Sequence, residues 1–286
     1  MFSDHTGPNA RPLTRQSQTG SVTNPSVNVT ARELARLLRF DLDAHCSLDG
    51  VTFTTRRVTE GEVLYRAGDA FHSLYVVRSG FFKILMLDPS GTEQVLAFPM
   101  QADVMGGDGL ASGRYSSEAI AIDAAEVIVV PFSRIAALAR QVPGIERIVY
   151  GILGRELVKE QAMLYVIGSL GADARVAAFL IDLSTRFGAL GYSRTSFNLR
   201  MTRQEIGSYL GLKLETVSRA LSAFDAAGLV DVHLKSVDIR DHAGLKRVVD
   251  EPIGSTSKTR PTKRAFPIPR GPMVARSAIF SHALAA

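Results

Sequence analysis

The amino-acid sequence predicts an α+β fold, in which an antiparallel β-roll of the jelly-roll type is followed by a long helix and a winged helix-turn-helix. Short stretches of alternating apolar residues, separated by glycines, extend from Val51 to Phe132 and indicate the β-roll. A proline-free stretch over 145–170 has the apolar spacing of a helix. Two short amphipathic helices and a β-hairpin pattern then occupy 201–239, as is typical of a winged helix-turn-helix.

The chain has 286 residues, one cysteine and a formal net charge of +5. Its length is sufficient for two modest domains, each with its own core. One cysteine excludes an internal disulfide framework, and the sequence has neither an apolar stretch of membrane-spanning length nor the apolar region of a signal peptide. We therefore expect a cytoplasmic protein with no membrane partner.

Positive charge is concentrated in the last part of the chain. Residues 251–286 contain six lysines and arginines and one acid, Glu251, so the first 250 residues have no net charge. Any affinity of the folded part for nucleic acid must therefore come from local placement of charge. The tail has no periodicity and is predicted to be disordered, either as a nonspecific DNA-binding arm or as an extension without function.

Composition and periodicity divide the chain into five predicted segments. The first is rich in Ser, Thr, Asn, Pro and Gln, which favours disorder. The β-roll that follows opens with a short helix capped by Thr30 and Glu33. The predicted segments are a disordered arm over 1–28, the β-roll over 29–142, the long helix over 143–170, the winged helix-turn-helix over 171–250 and the basic tail over 251–286.

The long helix has two apolar seams. One includes Val149 and Ile152, and the adjacent one includes Leu153 and Leu157. A helix with two apolar stripes must bury both, one on its own domain and the other on a second copy, although a single buried helix in a monomer is the alternative. The predicted dimer contacts are Val149, Ile152, Glu156, Leu157, Glu160, Met163, Leu164 and Ile167, with Glu160 an acidic interruption of its seam.

The helix-turn-helix begins with Thr202, which can cap a first helix while Glu205 closes a capping box. Gly211 permits the left-handed turn, and a second helix over roughly 215–227 follows. On that helix the residues at core spacing are Val217, Ala220, Leu221 and Phe224. The residues on the opposite face are Glu215, Ser218 and Arg219, an acceptor, a hydroxyl and a guanidinium suited to base edges in a major groove.

A β-hairpin wing is predicted directly after Gly228. Val230, Val232 and Leu234 alternate, a turn is expected at 235–236, and apolar alternation resumes afterwards. A short strand is expected over 197–201. A plain helical hairpin is the alternative interpretation, but it does not account for the wing, and we therefore predict DNA binding. The predicted DNA contacts are Thr202, Arg203, Lys213, Glu215, Thr216, Ser218 and Arg219.

The sequence TRQEIGSYLGLKLETVSRALSAFDAAGLV, over 202–230, closely resembles the DNA-binding motif of the Crp/Fnr regulators. Glu215, Ser218 and Arg219 match the E-x-x-S-R pattern of the Fnr and FixK branch. The resemblance extends over about 61–249 and includes the G-x-x-L-Y-x-x-G-D and L-Y-x-V-x-S-G-x-x-K strings of cyclic-nucleotide-type β-rolls.

This resemblance implies a homodimer that binds double-stranded DNA at palindromic TTGA…TCAA-like sites, with half-sites about 34 Å apart. It also implies a contact with RNA polymerase through a turn of the β-roll. The residues expected at that contact are Arg78, Ser79, Gly80 and Lys83.

The segment 105–113 occupies the place of the family's phosphate-binding cassette. Cyclic-nucleotide binders of this family carry a Gly-Glu pair and an Arg-Ser pair, and the matching positions here are 106–107, Gly-Gly, and 116–117, Ser-Ser. The ribose acceptor and the phosphate-binding guanidinium are missing, although Arg114 lies nearby. We therefore expect a structural corner and no cAMP site.

The Fnr branch holds an iron–sulfur cluster with four cysteine thiolates, whereas this chain has Cys46 alone. We expect no cofactor and no metal site. Cys46, beside His45, is either a thiol redox switch or an ordinary half-buried cysteine. No nucleophile–base pair is recognisable, so no enzyme is expected. The alternatives left open are a β-roll that senses haem or another small molecule, and an interaction module that does not bind DNA.

Overall fold

The computed structural model describes residues 28–40, 48, 50–88, 90–142 and 144–250. The predicted arm up to residue 27, Cys46 and the basic tail lie outside these residues. The strands are β1 (Asn28–Thr30), β2 (Thr52–Val58), β3 (Val63–Tyr65), β4 (Ser73–Ser79), β5 (Phe82–Leu87), β6 (Glu93–Ala97), β7 (Val104–Met105), β8 (Glu118–Ala121), β9 (Ala125–Pro131), β10 (Ser196–Asn198), β11 (Val230–His233) and β12 (Ser236–Ile239).

The helices lie between and after the strands along the chain. They are α1 (Ala31–Leu37), α2 (Phe132–Gln141), α3 (Ile145–Ser169), α4 (Ala172–Ala189), α5 (Arg203–Leu210), α6 (Leu214–Ala226) and α7 (His242–Asp250). The order confirms the predicted α+β fold of an antiparallel β-roll, a long helix and a helix-turn-helix with a β-hairpin.

Two antiparallel sheets form the β-roll. One has the order β1-β2-β9-β4-β7 and the other the order β3-β8-β5-β6. Strand alternation gives the first sheet two apolar faces: Val77 and Val127 point between the sheets, whereas Val76 and Ile128 pack on the outer face. Gly80 makes the turn into β5 at φ +85°, where an added Cβ would lie 2.6 Å from the Cβ of Ala125.

The outer face of the five-stranded sheet is covered by helices. The Thr30 hydroxyl accepts from the Glu33 N–H, and the Glu33 carboxylate accepts from the Thr30 N–H, which is the capping box that the sequence predicts for α1. The helix packs with α2 and α3 on Phe53 and Val130 of the sheet. Helix α2 was not predicted, because its ten residues were included in the β-roll.

The structure differs from the prediction at two other places. Asn28, expected in the disordered arm, pairs with Thr54 as the first residue of β1. Helix α7 follows the wing and buries Leu245, Val248 and Val249 in the core of the C-terminal domain. Its apolar residues fall at i, i+3 and i+4, the spacing that could have identified it.

The C-terminal core also includes residues of the β-roll and of α3. Val95 in β6 and Phe98 just after it pack with the side chains of α4 to α7, as do Val166 and Leu170. The ring of Phe98 lies 5.2 Å from that of Tyr209 in α5. The winged helix-turn-helix is therefore packed directly onto one edge of the β-roll.

Candidate DNA-binding surface and its supports

The helix-turn-helix is built by local hydrogen bonds. The Thr202 hydroxyl accepts from the Glu205 N–H at 3.1 Å, and a Glu205 carboxylate oxygen accepts from the Thr202 N–H at 2.7 Å. Gly211 ends α5 at φ +63°. Gly207 is required for a different reason, since a Cβ there would lie 2.7 Å from the Leu212 carbonyl oxygen. Two glycines thus allow α5 and the turn to approach closely.

Helix α6 separates a buried seam from a polar face. Its buried side chains are Val217, Ala220, Leu221 and Phe224, as predicted. Glu215 and Arg219 are exposed on the other side, and Ser218 is half-buried between them. Because the four apolar residues hold the helix against the core, its outward face is presented rigidly.

The remaining predicted DNA contacts lie at the two helix N-termini. Thr202 is the exposed N-cap of α5, and Lys213 is the exposed N-cap of α6. Thr216 is half-buried. Arg203 is also half-buried: its Nη2 donates to the Leu234 carbonyl at 3.0 Å, and burial lowers its pKa from the ordinary value. The side chain of Arg203 therefore ties α5 to the wing.

The turn of the wing lies one residue earlier than the sequence predicts. His233 pairs with Ser236, so the turn consists of Leu234 and Lys235. The prediction that Leu234 belongs to the alternating strand is wrong, because the alternation ends at Val232. Leu234 has φ +54° and is 95% exposed.

The β-roll contacts α5 directly. Lys83 Nζ donates to a Glu205 carboxylate oxygen at 2.9 Å, with both side chains largely buried. Ser208 completes the edge of β6, since its hydroxyl accepts from the Val95 N–H at 2.8 Å and donates to the Glu93 carbonyl at 3.1 Å. These contacts between distant parts of the chain were not predicted.

The residues expected to contact RNA polymerase mostly have partners within the chain. Lys83 is paired with Glu205, and Gly80 is packed against Ala125. Arg78 donates to Glu126 at 3.0 Å. Ser79 is exposed. We therefore revise the expectation for Lys83, whose ammonium group stabilises the docking of α5.

Within the cassette over 105–113, Asp108 binds the two serines at 116–117. One of its carboxylate oxygens accepts from the N–H and hydroxyl groups of Ser116 and Ser117, over four distances of 2.8–2.9 Å. Arg114 does not point into the cassette, since its Nη1 donates to the Gly68 carbonyl at 2.7 Å. The two serines that replace the Arg-Ser pair therefore hold a carboxylate of the protein itself.

Stacked tyrosines fill the space between the two sheets beside this cassette. The rings of Tyr65 and Tyr115 stack at 4.2 Å, and Tyr75 stacks on Tyr65 at 5.7 Å. The hydroxyl of Tyr115 donates to the Ser73 carbonyl at 2.7 Å.

The structure divides the eight predicted dimer contacts of α3 between two faces. Val149 and Ile152 lie against the β-roll of the same chain, and Met163 packs on the C-terminal core. Glu156 pairs with Lys159 at 2.8 Å. We therefore revise Val149, Ile152 and Met163 to contacts within one chain, whereas Glu156, whose side chain is 39% exposed, stays a predicted dimer contact. The other four, Leu157, Glu160, Leu164 and Ile167, are exposed on the second seam.

Within the described residues, no helix is long and apolar enough to cross a membrane. In the same part of the chain, no three His, Cys, Asp or Glu residues are grouped so that they could hold a metal ion.

Two family models match the chain. The model of the cyclic nucleotide-binding domain matches residues 55–142, and that of the Crp-like helix-turn-helix domain matches 174–248. The transcriptional regulatory protein btr of Bordetella pertussis is 37% identical over 204 residues, which are 71% of this chain and 84% of that protein. The transcriptional activator protein anr of Pseudomonas aeruginosa is 38% identical over 199 residues, which are 70% and 82% of the two chains.

The solved structure of FixK2 from Bradyrhizobium japonicum is similar in sequence and in fold. It has 29% identity and a TM-score of 0.62, covering 68% of this chain and 95% of that one. These relatives are transcription regulators. They confirm the predictions from the sequence that the chain is a regulator and that it is not an enzyme. The chain belongs to the Crp/Fnr family of DNA-binding transcription regulators.

Proposed function

We propose that this regulator binds DNA as a homodimer and reads palindromic TTGA…TCAA-like half-sites with the outward face of α6. The observation that carries the proposal is the placement of Glu215, Ser218 and Arg219 opposite a fully buried apolar seam. Arg219 has two parallel donors that suit the O6 and N7 atoms of guanine. The Glu215 carboxylate can accept a hydrogen bond from a base amino group. Because phosphate repels a carboxylate, its presence on this face indicates base reading and not attraction to the DNA backbone.

The N-termini of α5 and α6 supply the positioning contacts in this proposal. Thr202 and Lys213 are exposed there, and a helix N-terminus attracts phosphate through its unpaired N–H groups. Arg203 contributes indirectly, because its guanidinium is bonded to the wing.

The exposed seam of α3 supports the dimer. Its members are Tyr150, Leu153, Leu157, Glu160, Leu164 and Ile167, which alternate in steps of three and four as in a coiled coil. Five of the six are large apolar side chains with exposures from 38% to 72%. A second copy of α3 would cover them, and a two-fold axis would place two α6 helices in successive major grooves, about 34 Å apart.

The geometry of the cassette argues against a cyclic nucleotide as the signal. Asp108 occupies the four donors of Ser116 and Ser117, and its negative charge would repel a phosphate. The stacked tyrosines take the space between the sheets. The predicted domain boundaries, with the start of the β-roll moved to Asn28, the cytoplasmic location and the contact with RNA polymerase remain part of the proposal. The candidates for that contact are Arg78, Ser79 and Gly80.

The experiment is a competition binding assay with the full chain, using a TTGA…TCAA duplex, a half-site duplex and a scrambled duplex over a range of salt concentrations. We expect about 10³-fold or greater preference for the palindrome over the scrambled duplex. The half-site duplex should bind more weakly than the palindrome. Equal affinity for all three duplexes would contradict sequence reading, and equal affinity for half-site and palindrome would contradict a dimer on the DNA.

A further inference from the structure

An apolar cavity lies on the outer face of the five-stranded sheet, opposite the stacked tyrosines. Its volume is about 80 Å³, it is partly open, and most of its lining comes from α1, α2, α3 and the strands β2, β4, β7 and β9. Every described residue that lines it is Ala, Val, Leu, Ile or Phe. The cavity is thus separate from the cassette, on the other side of the sheet.

The size and shape of the cavity follow from the side chains of its walls. Helix α1 contributes Ala31 and Ala35, two small side chains one turn apart, which leave room that a larger residue would fill. Helix α2 faces the cavity with Ile135 and Leu138, yet buries none of its side chains completely. The wall formed by α2 is therefore lightly packed.

The chemistry of the lining selects the guest. A water molecule needs two to four polar partners, and the described lining residues offer none from their side chains. An uncharged apolar molecule needs no such partner and gains dispersion contacts with the apolar lining. Apolar cavities of this order stay dry and take up apolar guests such as xenon or benzene.

We propose that this cavity is a binding site for a small uncharged apolar molecule, with a size between a monatomic gas and a few carbon atoms. The occupant would contact α1, α3 and the sheet together. Helix α3 supplies Ile145, Ile148, Val149 and Ile152 to the cavity, while its exposed seam faces away. The same helix holds α1 through Arg155, which donates to the Leu38 carbonyl at 2.7 Å and lies 4.1 Å from the ring of Phe40.

The position of the site makes α3 responsive to its occupant. A guest that fills the space beside Val149 and Ile152 supports α3 on the seam adjacent to the one proposed for the second subunit. The binding step itself depends neither on DNA nor on dimer formation, so it can be tested separately from the proposed function.

The probe is xenon, dissolved under pressure in a solution of the full chain, and the readout is the methyl chemical shifts of Val, Leu and Ile residues in NMR spectra. We expect saturable shifts at Leu138, Val149 and Ile152, and none with helium at the same pressure. Ala35→Leu, which fills the cavity from α1, should abolish these shifts. Val104→Ile, which adds one methylene from the sheet, is a second variant for the case that Ala35→Leu does not fold. It should reduce the xenon-induced shifts.

The matched control is Val158→Ile, which adds the same methylene on an exposed part of α3 that does not line the cavity. It should respond to xenon as the unmodified chain does. Three results would overturn the proposal: no saturable shift, shifts that persist in folded Ala35→Leu, or shifts confined to methyl groups outside the lining. A Soret band on addition of haemin that Ala35→Leu removes would also overturn it and assign the space to haem.

Discussion

The guanidinium of Arg186 in α4 is bonded to the carboxylate of Asp103 in the β-roll, with 2.5 Å between Nη2 and Oδ2. The other carboxylate oxygen of Asp103 accepts from Lys159 of α3 at 2.8 Å. Arg186 also donates to the Phe98 carbonyl at 3.0 Å and to Asp182 at 3.4 Å. This cluster of largely buried charges joins the β-roll, the long helix and the C-terminal domain.

Asp103→Asn should destabilise the chain by about 2–4 kcal/mol, because it leaves the guanidinium of Arg186 and the ammonium of Lys159 without their shared carboxylate. The matched control is Asp182→Asn, which removes the carboxylate that lies farther from the same arginine, at 3.4 Å. It should lower the unfolding free energy clearly less. Urea unfolding followed by circular dichroism measures both. Equal losses for the two variants would show that Asp103 has no special place in the cluster.

The contribution of Asp103 should depend on pH. Burial by itself raises the pKa of this carboxyl, but Arg186 and Lys159 outweigh burial and lower it from 3.8 to about 2. A carboxyl with a lowered pKa stabilises the folded state above its unfolded pKa, and this stabilisation is lost as the pH falls from about 4 towards 2.

Glu156 and Asp182 of the same cluster have raised pKa values, mainly because of burial, and act in the opposite direction. The measurement is therefore the difference in unfolding free energy between the unmodified chain and Asp103→Asn. That difference should be constant from pH 5 to 7 and shrink below about pH 4. A difference that grows on acidification would contradict the assignment.

Leu164→Glu should prevent self-association without a large loss of subunit stability, because Leu164 is 72% exposed on the seam of α3. Glu160→Leu should strengthen self-association, since it removes a carboxylate that would face its own copy across a two-fold axis. Sedimentation equilibrium measures both dissociation constants.

The controls are neighbours on α3 outside the seam. Val158→Glu and Gln161→Leu place the same new side chains on exposed positions of that helix. Val158→Glu should change the dissociation constant less than Leu164→Glu does, and Gln161→Leu should change it less than Glu160→Leu does. If both glutamate variants weaken association alike, the interface is not confined to this seam.

Arg219→Ala should cost about 1–3 kcal/mol on a TTGA half-site and little on random DNA. Glu215→Ala should instead relax base choice at one position and leave nonspecific binding equal or slightly stronger, because a negative charge is removed. A competition assay over all single-base variants of the half-site separates these effects. Lys213→Ala, the control at a helix N-terminus, should weaken all sequences by similar factors. Uniform weakening by Arg219→Ala as well would assign base reading to other residues.

Leu234→Gly should stabilise the wing, although it removes a large apolar side chain. A left-handed backbone costs a non-glycine residue roughly 1–2 kcal/mol, and Leu234 at φ +54° is too exposed to recover that cost by burial. The greater freedom of glycine in the unfolded chain offsets part of the gain, so we expect about 0.5–1 kcal/mol in unfolding free energy.

Leu234→Ala is the control for this effect, because alanine keeps the strained backbone and removes the same side chain. It should leave the stability almost unchanged. Thermal unfolding that ranks the alanine variant above the glycine variant would show that side-chain contacts, and not backbone strain, govern this turn.

The sequence alone determined the features that depend on neighbours three or four residues apart. The capping box of Thr202 and Glu205 needs only the local chain. The left-handed turn at Gly211 and the outward face of α6 follow from glycine chemistry and helical periodicity in the same way. The two seams of α3 could be recognised from spacing.

Only the tertiary structure decided which seam of α3 packs within the chain, which one stays exposed, and which polar residues join the domains. Lys83 meets Glu205 across 122 residues, and Asp103 meets Arg186 across 83. Glu205 is visible in the sequence as a capping residue, yet nothing local indicates that it also binds a lysine of the β-roll. Such contacts arise because apolar residues, among them Val95 and Phe98, pack the two domains together, and polar side chains buried at that boundary must have partners there.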